Sequence, residues 1–347
     1  MPFPMLRTPF VVLTEVVSLL EPKEIVTVSF CSEKVRCLLK SHHQRRKPLE
    51  WILYMIYCDC WGRVDIAHPR DRKRKPLLSA KHISEAGHES EHGLIQMNGY
   101  KRGVSSNLPV LYFEDRVEGS KMIVDYVTDL FNKDIHGLVM DRNGIWAIEW
   151  INSRQENMLN GFELKKNGFE LKKNDSNNWY GDAPFNYILG VKCASDYYIF
   201  EESASVNFRF DGQLGPGEHL SIDSNGHWVT LDNLMNFDFI QIVVEKSRIS
   251  VPDLHSFLKH WRSGGSHRLT LLSLTFGTDR NFENFEEELE LVETANVVDD
   301  RLSEEEMTRM LNGYTIQRND GVKATIHFDT RYFVLIVWQD TVFQRFL

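Results

Sequence analysis

Residues 237–276 read FDFIQIVVEKSRISVPDLHSFLKHWRSGGSHRLTLLSLTF, and this stretch decides the fold of the C-terminal half. Residues 237–244 form an apolar run typical of a buried strand. Ser250 and Asp253 have the spacing of a capping box, which predicts that a helix begins there. The apolar positions of that helix share one face: Leu254, Phe257, Leu258 and Trp261. Two glycines end the helix, and residues 268–276 predict a second strand, parallel to the first and reached by a right-handed crossover.

In the residues that precede this stretch, strand-like and helix-like patterns also alternate. Strand-like segments are centred near residues 138, 162, 198, 220, 241 and 272. Their spacing overlaps the ~20–29 residues of leucine-rich repeats, which predicts a β/α repeat-like region. The heptapeptide NGFELKK occurs at residues 160–166 and again at 167–173, and we interpret the copy as a loop or strand-edge insertion.

The last part of the chain predicts a three-stranded antiparallel meander. Its strands are residues 314–318, 322–328 and 332–338, and Asn319-Asp320-Gly321 provides the first turn. Before it, residues 283–306 contain eleven acidic side chains and a single arginine. We interpret this segment as a solvated helix face or loop, with recruitment of a basic partner as the alternative.

Residues 8–45 predict three short helices. Thr8 and Pro9 suit the cap and first position of the first helix, Pro22 begins the second, and Ser32 caps the third. A core of about 35 residues falls below the ~40 residues at which small chains normally need help to fold. The helices are therefore expected to complete their core against the rest of the chain or against another protein.

Residues 46–110 give a weak pattern. We predict a buried strand at residues 51–60, a polar loop to about residue 107, and a hairpin between residues 51–61 and 93–99. The basic run at residues 70–75 is interpreted as a solvated linker. A nucleic-acid contact is disfavoured because prolines border the run and no aromatic side chains interleave it.

Composition points to a globular protein without redox or membrane chemistry. No run approaches the ~20 apolar residues that span a bilayer, and acidic residues interrupt the N-terminal apolar segment, which disfavours a secretory signal. We therefore expect a cytoplasmic or nuclear location. Five scattered cysteines fit reduced thiols. Cys58 and Cys60 are spaced C-x-C with no second pair, which disfavours a metal site.

No catalytic motif is found in the sequence. The phosphate-binding loops, the nucleophile elbow and the kinase motif set are all absent. Gly212, Gly215 and Gly217 are interrupted by Pro216, which favours a turn over a phosphate cradle. We therefore predict no enzyme activity, no catalytic residue, no cofactor and no metal.

Three stretches of the N-terminal region together resemble an F-box. They are FPMLRTP at residues 3–9, the apolar positions of residues 12–26, and SFCS at residues 29–32. Thr8 stands where leucine is commoner. Residues 239–244, 254–261, 268–269 and 313–326 are similar to the F-box-associated domain (type 2) of a family greatly expanded in nematodes. Together these segments cover roughly half of the chain.

The residue patterns and this resemblance together predict an α+β protein with four parts. They are a three-helix F-box (1–45), an irregular connecting segment (46–110), a leucine-rich-repeat-like β/α arc (111–236), and an F-box-associated domain ending in the meander (237–347). The resemblance also implies a substrate-recognition subunit of an SCF-type cullin–RING ubiquitin ligase, which binds the Skp adaptor and a protein substrate. The adaptor contacts it implies are Pro4, Leu6, Pro9, Val12, Leu13, Val16, Leu20, Pro22 and Val26. The alternative is a non-enzymatic protein- or nucleic-acid-binding module whose N-terminal helices are structural.

Overall fold

The structure is a computed structural model that describes residues 10–45, 50–59, 61–68, 73–85, 95–97, 100–105, 108–166, 182–190, 196–283, 285–289, 292–295 and 312–338. The described chain divides into two compact mixed α/β units. Unit 1 comprises residues up to Leu159, and unit 2 those from Asn160 onward. Among the described helices, none combines the length and the apolar character needed to span a membrane.

Unit 1 begins with three helices and contains two more. They are α1 (Phe10–Leu19), α2 (Pro22–Ser29), α3 (Glu33–Arg45), α4 (Arg116–Phe131) and α5 (Trp146–Arg154). Pro22 occupies the first turn of α2, where its missing N–H costs nothing. The Asp115 carboxylate accepts a hydrogen bond from the Glu118 N–H at 2.9 Å and thereby caps α4.

The sheet of unit 1 combines parallel and antiparallel pairs. Its strands are β1 (Ile52–Cys58), β2 (Trp61–Ala67), β3 (Lys75–His82), β4 (Ile95–Met97), β5 (Tyr100–Ser105), β6 (Leu108–Phe113) and β7 (Ile135–Met140). Their order is β7-β1-β2-β3-β6-β5-β4. The β1–β7 and β3–β6 pairs are parallel, and the other pairs are antiparallel.

The predicted irregular segment at residues 46–110 is wrong, because most of its described residues are strands. The predicted pairing of residues 51–61 with 93–99 is also wrong: β1 pairs with β2 through a turn at Asp59, which has a φ of 51°. The Asp59 N–H donates to the buried Asp141 carboxylate at 2.8 Å, and this contact supports the unusual turn. The linker interpretation of residues 70–75 also fails in part, since the Arg74 guanidinium lies over the Tyr54 ring and Lys75 begins β3.

Helix α4 lies against the middle of this sheet. It contacts β2 and β3, and its inward side chains are fully buried: Ile123, Val124, Val127 and Leu130. Gly62 on β2 faces Ser120 on α4, where a Cβ on Gly62 would come within 2.7 Å of the Ser120 Cβ. The absence of a side chain at Gly62 therefore lets helix and strand approach closely.

The strands of unit 2 pair in both parallel and antiparallel fashion, with helices in some of the connections. Its helices are α6 (Ala183–Gly190), α7 (Leu231–Asn236), α8 (Val251–Arg262) and α9 (Phe285–Glu288). Its strands are β8 (Gly161–Leu164), β9 (Tyr197–Phe200), β10 (Gly217–Ile222), β11 (Phe239–Ser247), β12 (Leu271–Phe276), β13 (Val292–Ala295), β14 (Asn312–Gln317), β15 (Lys323–Phe328) and β16 (Tyr332–Val337). Their order is β8-β9-β10-β11-β12-β16-β15-β14-β13.

The strand pairing changes from parallel to antiparallel at β12. Strands β8 to β12 are joined by parallel pairs, whereas β12 pairs antiparallel with β16 and the remaining pairs are antiparallel. The predicted meander is therefore confirmed as β14–β15–β16. The acidic segment at residues 283–306 is described only in part, and there it contains α9 and β13. The second NGFELKK copy lies outside the described residues, and the first contains β8.

The predicted strand–helix–strand at residues 237–276 is confirmed as β11–α8–β12. Strands β11 and β12 are parallel, with Gln241 opposite Leu271. The four predicted inward residues of α8 are fully buried: Leu254, Phe257, Leu258 and Trp261. Each segment predicted as a strand near residues 138, 162, 198, 220, 241 and 272 is a strand. The leucine-rich-repeat-like arc stays a prediction, as do the three boundaries between the four predicted parts. Of these, 110/111 falls inside β6, and 236/237 separates the paired strands β10 and β11.

Candidate functional site

Helix α1 has apolar side chains on two faces, and only one of them is covered. Leu13 and Val17 are buried, at 5% and 1% exposure, and α1 packs on α3. Val12 and Leu19 are 49% and 82% exposed. Val16 is half-buried and lies on the same side of the helix, since residues four and seven apart share a face. We call Val12, Val16 and Leu19 the α1 apolar face.

Helices α2 and α3 attach the three N-terminal helices to the rest of unit 1. The hydroxyl groups of Ser29 and Tyr126 are 2.7 Å apart, and the ring of Phe30 stacks on that of Tyr126 at a centroid distance of 4.8 Å. On α3, the Arg36 guanidinium donates to the Asp129 carboxylate at 2.7 Å. Because α2 and α3 provide this attachment to α4, the α1 apolar face stays open.

The Asp129 carboxylate is the electrostatic centre of this attachment. Burial acts to raise its pKa, but hydrogen bonds from Lys40 and Arg36 outweigh burial and hold the pKa of Asp129 below its ordinary value. Burial acts to lower the pKa of Arg36, but the hydrogen bond to Asp129 and the nearby Glu33 carboxylate outweigh burial and raise the pKa of its guanidinium. The attachment between α3 and α4 is therefore a charged one at neutral pH.

The residues implied as adaptor contacts have different environments. Pro4, Leu6 and Pro9 lie outside the described residues. Leu13 and Val26 are buried inside the helical unit, at 5% and 0% exposure. Val12 is exposed, and the others are half-buried: Val16, Leu20 and Pro22. Leu19 was not among the implied contacts, although it is the most exposed large apolar residue of α1.

Unit 2 contains an open pocket of about 450 Å³. Three loops form it, and each follows one of three adjacent parallel strands, β9, β10 and β11. The first loop contributes Arg209, and the second, with the start of α7, contributes residues 227–232. The third loop contributes Arg248 and Ile249, and the start of α8 contributes Asp253. We call this the carboxyl-edge pocket, because crevices outside the carboxyl ends of parallel strands are where α/β sheets commonly bind ligands.

Buried polar and aromatic contacts join the first two loops of the pocket. The His227 Nε2 lies 2.7 Å from the Ser205 carbonyl oxygen, and the Asn233 amide donates to the Phe210 carbonyl at 2.7 Å. The Trp228 ring makes an edge contact with the Phe208 ring at a centroid distance of 5.4 Å. These contacts join the first loop to the second and fix that side of the pocket.

The pocket combines two exposed cations with partly engaged carboxylates. The guanidinium groups of Arg209 and Arg248 are its basic groups. The Asp253 carboxylate accepts the Ser250 N–H at 3.0 Å and the Ser250 O–H at 2.6 Å. Among the described residues, no partner is within hydrogen-bonding distance of the buried His227 Nδ1 or the buried Trp228 Nε1.

Sequence reasoning missed the carboxyl-edge pocket. It identified Ser250 and Asp253 only as the cap of a helix, and Arg209 and Arg248 belong to no motif. A usable signal was the position of both arginines shortly after strands that were predicted correctly, since parallel strands bring such loops to one edge.

Metal ligation finds no support in the part of the chain that the structure describes. No group of three His, Cys, Asp or Glu side chains there lies close enough to hold a metal ion. Cys58 lies at the end of β1 and forms no disulfide within the described residues, and Cys60 lies outside the described residues.

Comparison with known families gives one match. Residues 216–274 match the model of a family described as F-box associated. The matched segment runs from the residue before β10 into β12, so it contains α7, β11, α8 and most of the carboxyl-edge pocket. No curated protein and no solved structure matches the chain.

Proposed function

We propose that this chain, with its F-box associated segment at residues 216–274, is the substrate-recognition subunit of an SCF-type cullin–RING ubiquitin ligase. In this proposal residues 1–45 are an F-box that binds the Skp adaptor, and unit 2 binds a protein substrate. The protein performs no bond chemistry itself. It holds the substrate near the conjugating enzyme of the complex, which raises the effective concentration of the reacting groups.

The α1 apolar face is the observation that carries this proposal. Single exposed apolar residues are ordinary on protein surfaces, but a helix that is apolar on two faces is normally buried on both. Here α3 covers one face, whereas Val12 and Leu19 remain exposed. Helices of this kind bind in the groove of a partner, with anchor residues three, four and seven positions apart.

The implied adaptor contacts divide into two groups under this proposal. Val12, Val16, Leu20 and Pro22 contact the adaptor, joined by Leu19, and Pro4, Leu6 and Pro9 extend the contact from the segment before α1. Leu13 and Val26 are buried, so their part is to hold the helical unit together. Fully burying one Leu or Val side chain contributes about 1.5–3 kcal/mol, so covering the exposed Val12 and Leu19 would favour binding.

Capture of the Skp adaptor by the full chain tests the proposal. The wild-type protein is expected to co-purify with the adaptor in equal amounts. The double variant Val12→Asp, Leu19→Asp is expected to weaken capture at least tenfold, because two charges would have to be buried in the interface. Both side chains are exposed in the free protein, so the melting temperature is expected to stay unchanged.

A matched control is available in Met158→Asp, Val206→Asp. Met158 and Val206 are also large exposed apolar residues, at 48% and 60% exposure, but lie elsewhere in the chain. This control is expected to capture the adaptor like the wild type. Leu13→Asp is unsuitable, since it would place a charge in the core. Failure of folded wild-type protein to bind the adaptor, or equal loss in both double variants, would refute the proposal.

A further inference from the structure

We propose that the two NGFELKK copies compete for one place in the sheet, so that residues 167–173 can replace residues 160–166 and form strand β8. This exchange is a property of the chain itself and goes beyond the proposed function. The first copy contains β8 in the structure. An asparagine follows each copy, at Asn167 and Asn174, so the identity extends over eight positions.

The packing around β8 is selective for this sequence. Gly161 lies opposite Tyr197, and a Cβ on Gly161 would come within 2.1 Å of the Tyr197 ring. The Phe162 ring is 1% exposed and stacks on the Tyr198 ring at a centroid distance of 5.7 Å. A segment with a larger residue at the first position, or without the ring at the second, would therefore pack poorly here. The second copy has the same glycine and phenylalanine.

The charges around β8 make the position more selective still. The Glu163 side chain is 3% exposed, and its carboxylate lies 3.5 Å from the Lys165 ammonium, which also pairs with Glu201. Burying a carboxylate without a cation is costly, so an occupant of β8 needs a glutamate and, two residues later, a lysine. The second copy has both, at Glu170 and Lys172.

The backbone contacts at the two ends of β8 do not distinguish the copies. The Asn160 carbonyl oxygen accepts the Asp196 N–H at 2.6 Å, and the Leu164 carbonyl oxygen accepts the Glu201 N–H at 2.9 Å. Any residue provides such a carbonyl oxygen, and the second copy has the same asparagine and leucine at these positions. Each contact that holds the first copy in the sheet is therefore available to the second.

The two arrangements differ in the connections on either side of β8. Exchange adds seven residues to the chain before the strand and removes seven from the chain after it. Residues 172–182 would still connect β8 to α6, and such connections usually have only about 2–6 residues. Each doubling of the length of a flexible loop lowers the population by only about threefold. Both arrangements are therefore populated.

The exchange changes the length of the chain between the two units. The division between the units falls between Leu159 and Asn160, where the first copy begins. With the first copy in the sheet, residues 155–160 connect α5 to β8. With the second copy in the sheet, residues 155–167 do so. The duplication thus gives the two units a connection of two alternative lengths.

Substitution of one phenylalanine in each copy tests the inference. Phe162→Asp would bury a carboxylate and thereby keep the first copy out of β8, and Phe169→Asp does the same for the second. Each single variant is expected to lower the ratio of folded to unfolded protein by less than about tenfold, because the other copy forms the strand. The double variant is expected to lower this ratio by more than about a hundredfold, since no intact copy remains. Urea denaturation followed by tryptophan fluorescence measures the ratio, and Trp228 and Trp261 are buried in unit 2.

Hydrogen exchange with mass spectrometry identifies the strand directly. Fragments that extend before residue 160 or beyond residue 173 tell the two copies apart. Residues 168–171 are expected to exchange at least about fivefold more slowly in Phe162→Asp than in the wild type, because they then form β8 in every molecule. Equal exchange of residues 168–171 in the two proteins would overturn the inference.

Phe200→Asp is the matched control for the denaturation experiment. Phe200 is a phenylalanine on the neighbouring strand β9, is 1% exposed and has no second copy. As a single change it is expected to lower the ratio of folded to unfolded protein by more than about a hundredfold. Equal destabilisation by Phe162→Asp and by the double variant would contradict the exchange, and so would a double variant as stable as the wild type. No adaptor is present in these measurements, so their failure would leave the ligase role untouched.

Discussion

The hydroxyl groups of Ser29 and Tyr126 lie 2.7 Å apart and join α2 to α4. The Ser29 hydroxyl already donates its proton to the Val26 carbonyl at 2.7 Å, so Tyr126 is the donor in this contact. The Tyr126 ring also stacks on Phe30, and the Arg36 guanidinium lies 4.9 Å from its centroid. One side chain of α4 thus contacts both α2 and α3, which makes it the main attachment point of the helical unit.

Tyr126→Phe is expected to lower the free energy of unfolding by about 1 kcal/mol, the usual value for one lost hydrogen bond. The loss stays small because the ring keeps its contacts and Ser29 keeps its bond to Val26. Tyr126→Ala is expected to cost more than Tyr126→Phe, since the packing of the half-buried ring is also lost. Urea denaturation of both variants measures the two values. Equal stability of Tyr126→Phe and the wild type would show that the hydroxyl contact contributes nothing.

Asp129→Asn is expected to destabilise the protein by about 0.5–1 kcal/mol at pH 7, a value kept low because the Asp129 side chain is 38% exposed. Since the pKa of folded Asp129 is lowered, its contribution is present above the unfolded pKa near ~3.9. It is lost as the pH falls through the lowered pKa of the folded state. The difference between wild type and variant is therefore expected to shrink as the pH falls below the unfolded pKa.

Glu118→Gln is the control for this pH dependence, because Glu118 pairs with Lys121 on the exposed surface of the same helix. It is expected to change stability by less than about 0.5 kcal/mol. Thermal unfolding across the acidic range compares the two variants. A difference between wild type and Asp129→Asn that does not depend on pH would exclude the ionised carboxylate as the source of the attachment.

Gly62→Ala is expected to destabilise unit 1 by about 1–3 kcal/mol through overpacking. The added methyl group would meet the Ser120 Cβ at 2.7 Å and the Ser120 Cα at 3.2 Å, so α4 would have to move. The double variant Gly62→Ala, Ser120→Gly is expected to recover part of the loss, because the second change removes the opposing Cβ. Additive losses in a double-mutant cycle would contradict a direct contact between the two positions.

The elements that could be predicted from the sequence are those whose signals are local and agree. Helix α8 has a capping box at Ser250 and Asp253 and four apolar residues on one face. Gly264, with a φ of 102°, lies in the left-handed region that commonly follows a helix. Each signal lies within a few residues of the structure it specifies, which is why the prediction for residues 237–276 was correct.

The strands of residues 46–110 could not be predicted because their pairing is not local. Strand β3 begins with Lys75 and Pro76, two residues that are depleted in strands, and it pairs with β6 across a connection of some 25 residues. The turn at Asp59 lacks the Asn-Gly or Asp-Gly pair that identifies a hairpin. Its left-handed backbone is instead supported by Asp141, which lies far away in the sequence.

The candidate sites were predictable in kind and not in detail. The apolar spacing of α1 identifies Val12, Leu13 and Val16 as apolar positions, but only the structure shows that α3 covers Leu13 and leaves Val12 open. The carboxyl-edge pocket matches no sequence motif, because the three loops that form it are separated along the chain. Arg209 and Arg248 line the same pocket because the sheet order places β9, β10 and β11 next to one another.

The junction between β12 and β16 has a consequence for synthesis on the ribosome. One edge of β12 remains bare until residues 332–337 have emerged from the exit tunnel, since no nearer segment pairs with that edge. Leu272 and Leu274 lie on this strand, and an uncovered apolar edge recruits foreign strands. Stalled translation after β12 would therefore yield nascent chains prone to aggregation, and a chaperone holding that edge would protect them.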